Sequence, residues 1–587
     1  MKADFHQARR DAPAGRRASD SVSTGRAVWK SLLPWLGVIL FLGLFFFYPL
    51  VHILWVGLNP AALLAISANS LLVIRETTIF TFYQAGLSTL LTLALGLPAA
   101  FLFARYDFPG KRLLRTLTAI PFMLPTVVVA AGFTACLGPR GWLNLALMHI
   151  FRLATPPVIF TGTLGAILLA HVFYNTTIVI RIVGNAIAHL DPRLEQAARS
   201  LGADPPRLFW HVTLALLRPS ILAAALLVFI FDFTSFGVVL LLGGPGFSTL
   251  EVAIYTQAMA FLNMPLAALL SLIQLACTLV FSILYSRLIP GTVVSIAPRL
   301  NIVARPPGLS RRLFVACLSV FLFLFYLLPL SALPIRSFLR LEADEGQRGQ
   351  IRYGLTGDYY SALFVNRNNS IFYVPPFEAI GNSLGYAGLT VILSLLLGFP
   401  VATALAHPGR LTRLLDPLLM LPLGASAVTL GLGLIISFNH PLFGSQFVLV
   451  TSPVLVPVAH TIIALPFVIR TLQPALASIP DRLRQAAAVL GASPRRVWFA
   501  VDWPIVARAT LSAAVFAFTI SLGEFGASSL VVRPEYPTLP IAIARFLSQP
   551  GGLNYGQAMA MATILMFVCG LGILLIERLR LPGAGEF

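Results

Sequence analysis

Charge is what this sequence has least of. Only 11% of its 587 residues are Asp, Glu, Lys or Arg, whereas soluble domains carry about 25%. So few charges cannot cover a water-soluble protein of this length, which excludes an ordinary cytosolic enzyme. Cysteine is also sparse. Cys136, Cys277, Cys317 and Cys569 each lie in or beside an apolar run, and no CxxC pair occurs. Neither a disulfide framework nor a thiolate metal site is supported, so no metal is expected. A GxxxxGK[ST] phosphate loop is missing too, because Gly243-Gly244-Pro245-Gly246 lacks the lysine. We therefore assign no catalytic residue and no cofactor to the chain itself. What is abundant is apolar surface: 57% hydrophobic residues and a mean hydropathy of +0.85. The net charge of +19 would suggest nucleic acid in a soluble chain. Here the basic residues sit between apolar runs, which points to a lipid bilayer and to no nucleic-acid partner.

A bilayer span needs about 20 mostly apolar residues. Twelve such stretches are expected at 34–56, 78–104, 115–137, 161–184, 220–242, 263–288, 312–334, 381–405, 415–438, 450–470, 506–531 and 554–577. In lipid the backbone must satisfy its own hydrogen bonds, and no period-2 alternation suggests a barrel, so the spans are expected to be helices. The fold class is an all-α integral membrane protein. With the N-terminus inside, inner segments hold 31 of the 41 Lys and Arg residues. That excess predicts a multi-pass protein with both termini cytoplasmic. The predicted organisation is a disordered basic cytoplasmic tail over 1–33, a six-helix domain over 34–288, a cytoplasmic linker over 289–311, a second six-helix domain over 312–577 and a cytoplasmic tail over 578–587. The tail is too long and polar for a signal-peptide n-region. A long outer loop over 335–380 carries charges of both signs.

The two halves repeat one another. Ala85-Gly86-Leu87 with Gly96 and Pro98 recurs 302 residues on as Ala387-Gly388-Leu389 with Gly398 and Pro400. After a longer first-half loop around Gly138 to Pro157 the offset falls to 289: Ala170-His171 matches Ala459-His460, Arg181 matches Arg470, and Phe236-Gly237 matches Phe525-Gly526. Six spans against six in one orientation predict two parallel six-helix repeats about an axis along the membrane normal, with a pathway between them. The longest match is Arg193-Leu194-x-Gln196-Ala197-Ala198-x-x-Leu201-Gly202-Ala203-x-Pro205 against Arg482-Leu483-x-Gln485-Ala486-Ala487-x-x-Leu490-Gly491-Ala492-x-Pro494. It lies in the inner loop after the fourth span of each half. Asp191-Pro192 predicts an N-cap with Pro at the first helical position, and Gly202 a left-handed stop. Asp204-Pro205 predicts a second helix. In the second copy Ser478 or Asp481 is the expected cap, Gly491 the stop and Ser493-Pro494 the restart. Each loop is expected to be helix, Gly turn, helix along the membrane surface, with small residues that let another surface approach.

This loop resembles the EAA motif of binding-protein-dependent ABC importers, which is Glu-Ala-Ala, a following Gly, then Ile-x-Leu-Pro. Here it stands as Gln196-Ala197-Ala198, Gly202 and Val212-x-Leu214-Ala215, and again as Gln485-Ala486-Ala487, Gly491 and Val501-x-Trp503-Pro504. Gln replaces the acid in both copies and the first lacks the Pro; Glu195 stands one position early in the first copy, where the second has Arg484. The resemblance implies a type I importer permease in the inner membrane. It further implies two coupling loops that dock on two copies of a separate ABC ATPase carrying the ATP, and an extracytoplasmic solute-binding protein that largely sets specificity. Fused two-half permeases resemble the ferric-iron and thiamine groups. The stretches Ile167 to Asn175, Gly141-Trp142-Leu143, and Leu242-Gly243-Gly244 through Glu251 to Tyr255 are most similar to thiamine permeases. An ion-gradient-driven secondary transporter of a small cationic solute is the alternative, since two parallel six-span halves suit it as well. It predicts no repeated coupling loop and no ATPase.

Ionisable groups at membrane depth are costly and face the bundle interior. Asp232, Glu524, His171 and His460 are the candidates for the translocation pathway. Thiamine and ferric iron both arrive as cations, bare or chelated, so carboxylates along a pathway make electrostatic sense. Phe231, Phe233, Phe236 and Phe525 flank them and could stack on a cationic ring. The other reading, that these groups pair neighbouring helices, stays open for all four.

Overall fold

The computed structural model describes residues 34–60, 64, 67–288, 308–340, 354–365, 375–407, 409–440 and 448–579. The N-terminal tail, nearly all of the 289–311 linker, much of the 335–380 loop and the last residues therefore lie outside the described residues. Ten helices are long and apolar enough to cross a membrane, and two bent helix pairs bring the spans to twelve. Span 1 is Pro34–Gly57, span 2 Ala68–Arg105, span 4 Leu164–Ala188, span 5 Pro205–Phe233 and span 6 Met264–Arg287. The second half repeats the order: span 7 Leu309–Phe338, span 8 Pro376–Leu405, span 10 Leu455–Ala477, span 11 Pro494–Gly523 and span 12 Gly552–Gly572. Among the described residues the sole sheet is a two-residue ribbon in the outer loop, β1 (Leu339–Arg340) against β2 (Gly354–Leu355).

Spans 3 and 9 correct the expectation of continuous helices. Lys111–Met123 and Thr126–Phe151 meet at 115°, and Arg410–Gly424 and Ala427–Phe438 at 97°. Leu124-Pro125 breaks the first, since Pro cannot donate and holds the preceding residue extended. At the second break Ser426 is extended and its side chain accepts from Thr429 N, capping the new helix. Spans 5 and 11 correct two further expectations. Both begin earlier than hydropathy suggests, at Pro205 and Pro494, so the expected second surface helix of each loop is the first turns of the span itself. Both also stop short. Span 5 ends at Phe233 and a separate helix runs Gly237–Leu242; span 11 ends at Gly523 and resumes as Gly526–Val531.

The halves exchange their first helices. Span 1 buries Trp35, Val38, Leu42 and Phe46 among Val401, Leu430, Leu434, Phe438 and Ala459 of the second half. Span 7 reciprocates: Leu322 and Tyr326 pack with Val127, Phe133 and Phe173 of the first, the Phe173 and Tyr326 rings lying 5.1 Å apart. Two repeat-related glycines permit this. A Cβ on Gly132 would stand 2.8 Å from Pro329 O of span 7, and one on Gly433 would stand 3.0 Å from Pro49 Cβ of span 1. Lipid offers apolar helices no hydrophobic drive to associate, so close backbone approach at small residues is the main source of attraction. Spans 4 and 10, which carry His171 and His460, are the most enclosed of all.

Candidate functional site

Each copy of the repeated loop is built from one free helix and one turn. In the first, Asp191 accepts from Arg193 N at the N-cap of Pro192–Ser200. Gly202 then takes φ +82°, with Gly202 N donating to Arg199 O at 2.9 Å and Ala203 N to Ala198 O at 3.0 Å. That is the paired bonding of a left-handed helix stop. The second loop repeats it over Asp481–Val489, with Gly491 at φ +80° and Ala492 N donating to Ala487 O at 3.0 Å. Neither expected second-copy cap is used: Pro480 is the N-cap residue and Asp481 opens the first turn. Gln196, Ala197, Gln485 and Ala486 face outward, and Ala198 and Ala487 are half-buried. Just before each glycine a leucine points away from the protein, Leu201 at 90% and Leu490 at 87% exposure, and Leu194 and Leu483 are exposed beside them. Two matching apolar tips are thus held out by left-handed turns.

A second assembly forms where four helix interruptions converge. The breaks in spans 5 and 11 nest against those in spans 3 and 9: a Cβ on Gly523 would stand 3.2 Å from Pro125, and one on Gly526 2.9 Å from Ala427 Cβ. The residues directly after the span 5 and span 11 breaks, Phe236 and Phe525, are repeat-related and stack across the two halves, centroids 5.5 Å apart and planes at 28°. Both are buried, and Tyr255 packs on Phe236 at 5.4 Å.

The four ionisable candidates lie at these breaks. His171 Nδ1 is 3.0 Å from Ser88 Oγ and 3.4 Å from Asp232 Oδ1, and its Nε2 is 2.8 Å from Ser235 Oγ. Asn175 Nδ2 donates to Asp232 Oδ1 at 2.7 Å, and Gln84 Nε2 donates to the Asp232 carbonyl at 2.8 Å. In the other half His460 Nδ1 is 2.7 Å from Ser521 Oγ, and its Nε2 is 2.9 Å from Ser528 Oγ and 3.4 Å from Glu524 Oε2. Glu524 also caps Gly526–Val531, accepting from Ala527 N and Ser528 N, each at 2.8 Å. At the offset of 289, Asp232 corresponds to Ser521 and Ser235 to Glu524. Acid and serine have changed places, and each half keeps one of each on its histidine. Both acids are buried.

This geometry fixes an expected result for the amide variants. Glu524 holds backbone donors with both oxygens, so Glu524→Gln turns an N–H₂ group toward donors. It should lower stability by about 1–3 kcal/mol, the cost of a buried unmade bond. Asp232 Oδ2 has no partner among the described residues, so Asp232→Asn keeps the Asn175 bond and should be milder. Melting of the two purified variants checks the order; a larger loss for Asp232→Asn contradicts it.

One acid was not singled out as a site residue by sequence reasoning. Glu251 is buried on the Leu250–Met259 helix and accepts from Gln274 Nε2 and, at 2.9 Å, from Ser426 Oγ. It reaches from the first half to the break of span 9 in the second. Its repeat counterpart is Pro540, so the duplication gives no signal for it.

Residues 92–294 match the family described as "Binding-protein-dependent transport system inner membrane component". The chain is 29% identical over 510 residues to the thiamine transport system permease protein of Brucella abortus, covering 85% of this chain and 86% of that one. It is 28% identical over 523 residues to the protein of the same description in Escherichia coli, covering 86% and 88%. The corresponding Haemophilus influenzae protein is 25% identical over 513 residues, covering 86% and 89%.

Proposed function

We propose, from the premise that this chain is a permease of the binding-protein-dependent ABC importer type, that it conducts thiamine across the inner membrane between its two halves. Two ATPase subunits drive it by docking on Pro192–Gly202 and Asp481–Gly491, and an extracytoplasmic binding protein delivers the cargo. The observation that carries the ATPase reading is the duplicated helix and left-handed glycine turn with exposed Leu201 and Leu490 at matching points. A secondary transporter has no use for that pair of docking tips. The distribution of Lys and Arg supports inward-facing loops and both termini in the cytoplasm. The cargo reading rests on the relatives, each named for thiamine transport, and on the chemistry of the axis. Thiamine is a cationic aromatic, suited to a path lined by aromatic faces and flanked by Asp232, Glu524, His171 and His460. Ferric iron has no such support.

The test is uptake of labelled thiamine by liposomes holding the permease, its ATPase and its binding protein. Accumulation with ATP and none with ADP is expected. Binding-protein-stimulated ATP hydrolysis without thiamine uptake would refute the cargo alone. Uptake driven by an ion gradient in the absence of ATP would refute the importer.

A further inference from the structure

We infer that the two ATPase-facing helices are wired to different spans, the first to span 2 through Arg105–Glu195 and the second to span 11 through Arg484–Asp502. Glu195 lies on the first free helix and grips the guanidinium of Arg105, the last residue of span 2, with both oxygens; the Nη1–Oε2 contact is 3.3 Å. Both side chains are mostly enclosed, at 24% and 17% exposure, and Phe101 lies beneath the guanidinium at 5.8 Å. Paired charge-assisted bonds of this kind fix geometry as well as adding energy. Thr213, at the root of span 5, adds a 3.4 Å contact to the same carboxylate.

The second half reverses the polarity. Arg484 stands where the first half has Glu195, and Asp502 stands where it has Thr213. Arg484 Nε donates to Asp502 Oδ1 at 2.8 Å, at the root of span 11. Span 8 cannot take part. Its inner end has His407 in place of Arg105, and no charged residue lies between Glu378 and His407. His407 Nδ1 instead lies 3.1 Å from Thr403 O of its own helix. The asymmetry has mechanical content. Span 2 has 38 residues, about 57 Å of continuous helix at ~1.5 Å per residue, well beyond a hydrocarbon core of about 30 Å. It is a lever from the outer side to the first coupling helix. The second coupling helix instead moves span 11, which ends just before Glu524 and Phe525. Arg105, Glu195, Arg484 and Asp502 are positioning residues in this scheme.

The inference rests on the ATPase docking proposed above, and the test separates the two. In the full complex with ATPase and binding protein, Glu195→Arg and Arg105→Glu should each cut binding-protein-stimulated ATP hydrolysis about tenfold, with ATPase still co-purifying. The double reversal E195R/R105E should restore it. The deciding variant is E195R/T213D, which installs the second-half pair in the first half. It should fold and co-purify with the ATPase, yet lose the stimulation, because span 2 is no longer held. If E195R/T213D is stimulated like wild type, the pair only braces the loop and the span 2 assignment is wrong. If the single reversals do not fold, failure of E195R/R105E to regain stimulation despite normal folded yield overturns the wiring equally. A wild-type permease that retains no ATPase refutes the docking reading, and this inference with it.

Discussion

Replacing Leu201 and Leu490 together with Asp should strip the ATPase from the permease while leaving folded yield unchanged. Both leucines are almost fully exposed, so the permease loses little by their removal; surface substitutions away from special features fall within about 0.5 kcal/mol. A partner that buries them gains about 1.5–3 kcal/mol for each. Putting a carboxylate in its place adds a desolvation penalty. Each loss weakens docking at its own loop by at least about tenfold, each ~1.4 kcal/mol being tenfold. A companion pair addresses the turn. Gly202 and Gly491 sit at φ +82° and +80° with open space where a Cβ would go, so a side chain there is penalised by backbone strain and not by collision. Val is among the worst residues at positive φ, and Gly202→Val with Gly491→Val should turn the leucine tips away from their docking direction. Retention of the ATPase on a pull-down by both pairs of variants would remove these loops from the interface.

The glycine turns were legible because a left-handed helix stop favours Gly, and the duplication presents the choice twice. The twelve spans were legible from hydropathy for a similar reason, since lipid imposes length and apolarity directly. The interruptions were not. Phe233 and Gly237–Leu242 are apolar on both sides of the break, so a hydropathy window passes through Thr234-Ser235 unaware. The exchange of spans 1 and 7 was hidden as well: an apolar helix meets lipid and protein with the same side chains, and only Gly132 and Gly433 mark where the foreign helix presses. The acid–serine exchange was within reach. Aligning Asp232 with Ser521 and Ser235 with Glu524 at the offset already used for His171 and His460 places all four around two matching histidines.

The double variant Phe236→Ala, Phe525→Ala should make the permease leak thiamine down its gradient without ATP and hydrolyse ATP without the binding protein. These two rings are the side chains that each half sends across the axis immediately after a helix break, and in this state they cover one another. A stacked aromatic pair contributes about 0.5–1.5 kcal/mol beyond its area, and truncating a buried Phe costs about 3–5 kcal/mol. A bias of ~3 kcal/mol removed from the closed arrangement alone shifts the resting population about 150-fold. The single variants should fall between, since one ring still fills part of the contact. The same reasoning supplies a role in passage: once the halves part, each ring exposes a face able to attract a cationic aromatic. Phe236→Leu with Phe525→Leu keeps most of the volume and removes that face, so it should restrain the leak while slowing ATP-driven import. The measurement is thiamine efflux from loaded liposomes together with ATP turnover, both normalised to folded permease. If the alanine pair only lowers the melting temperature, with no leak and no rise in basal turnover, the stack is packing and the pathway closes elsewhere.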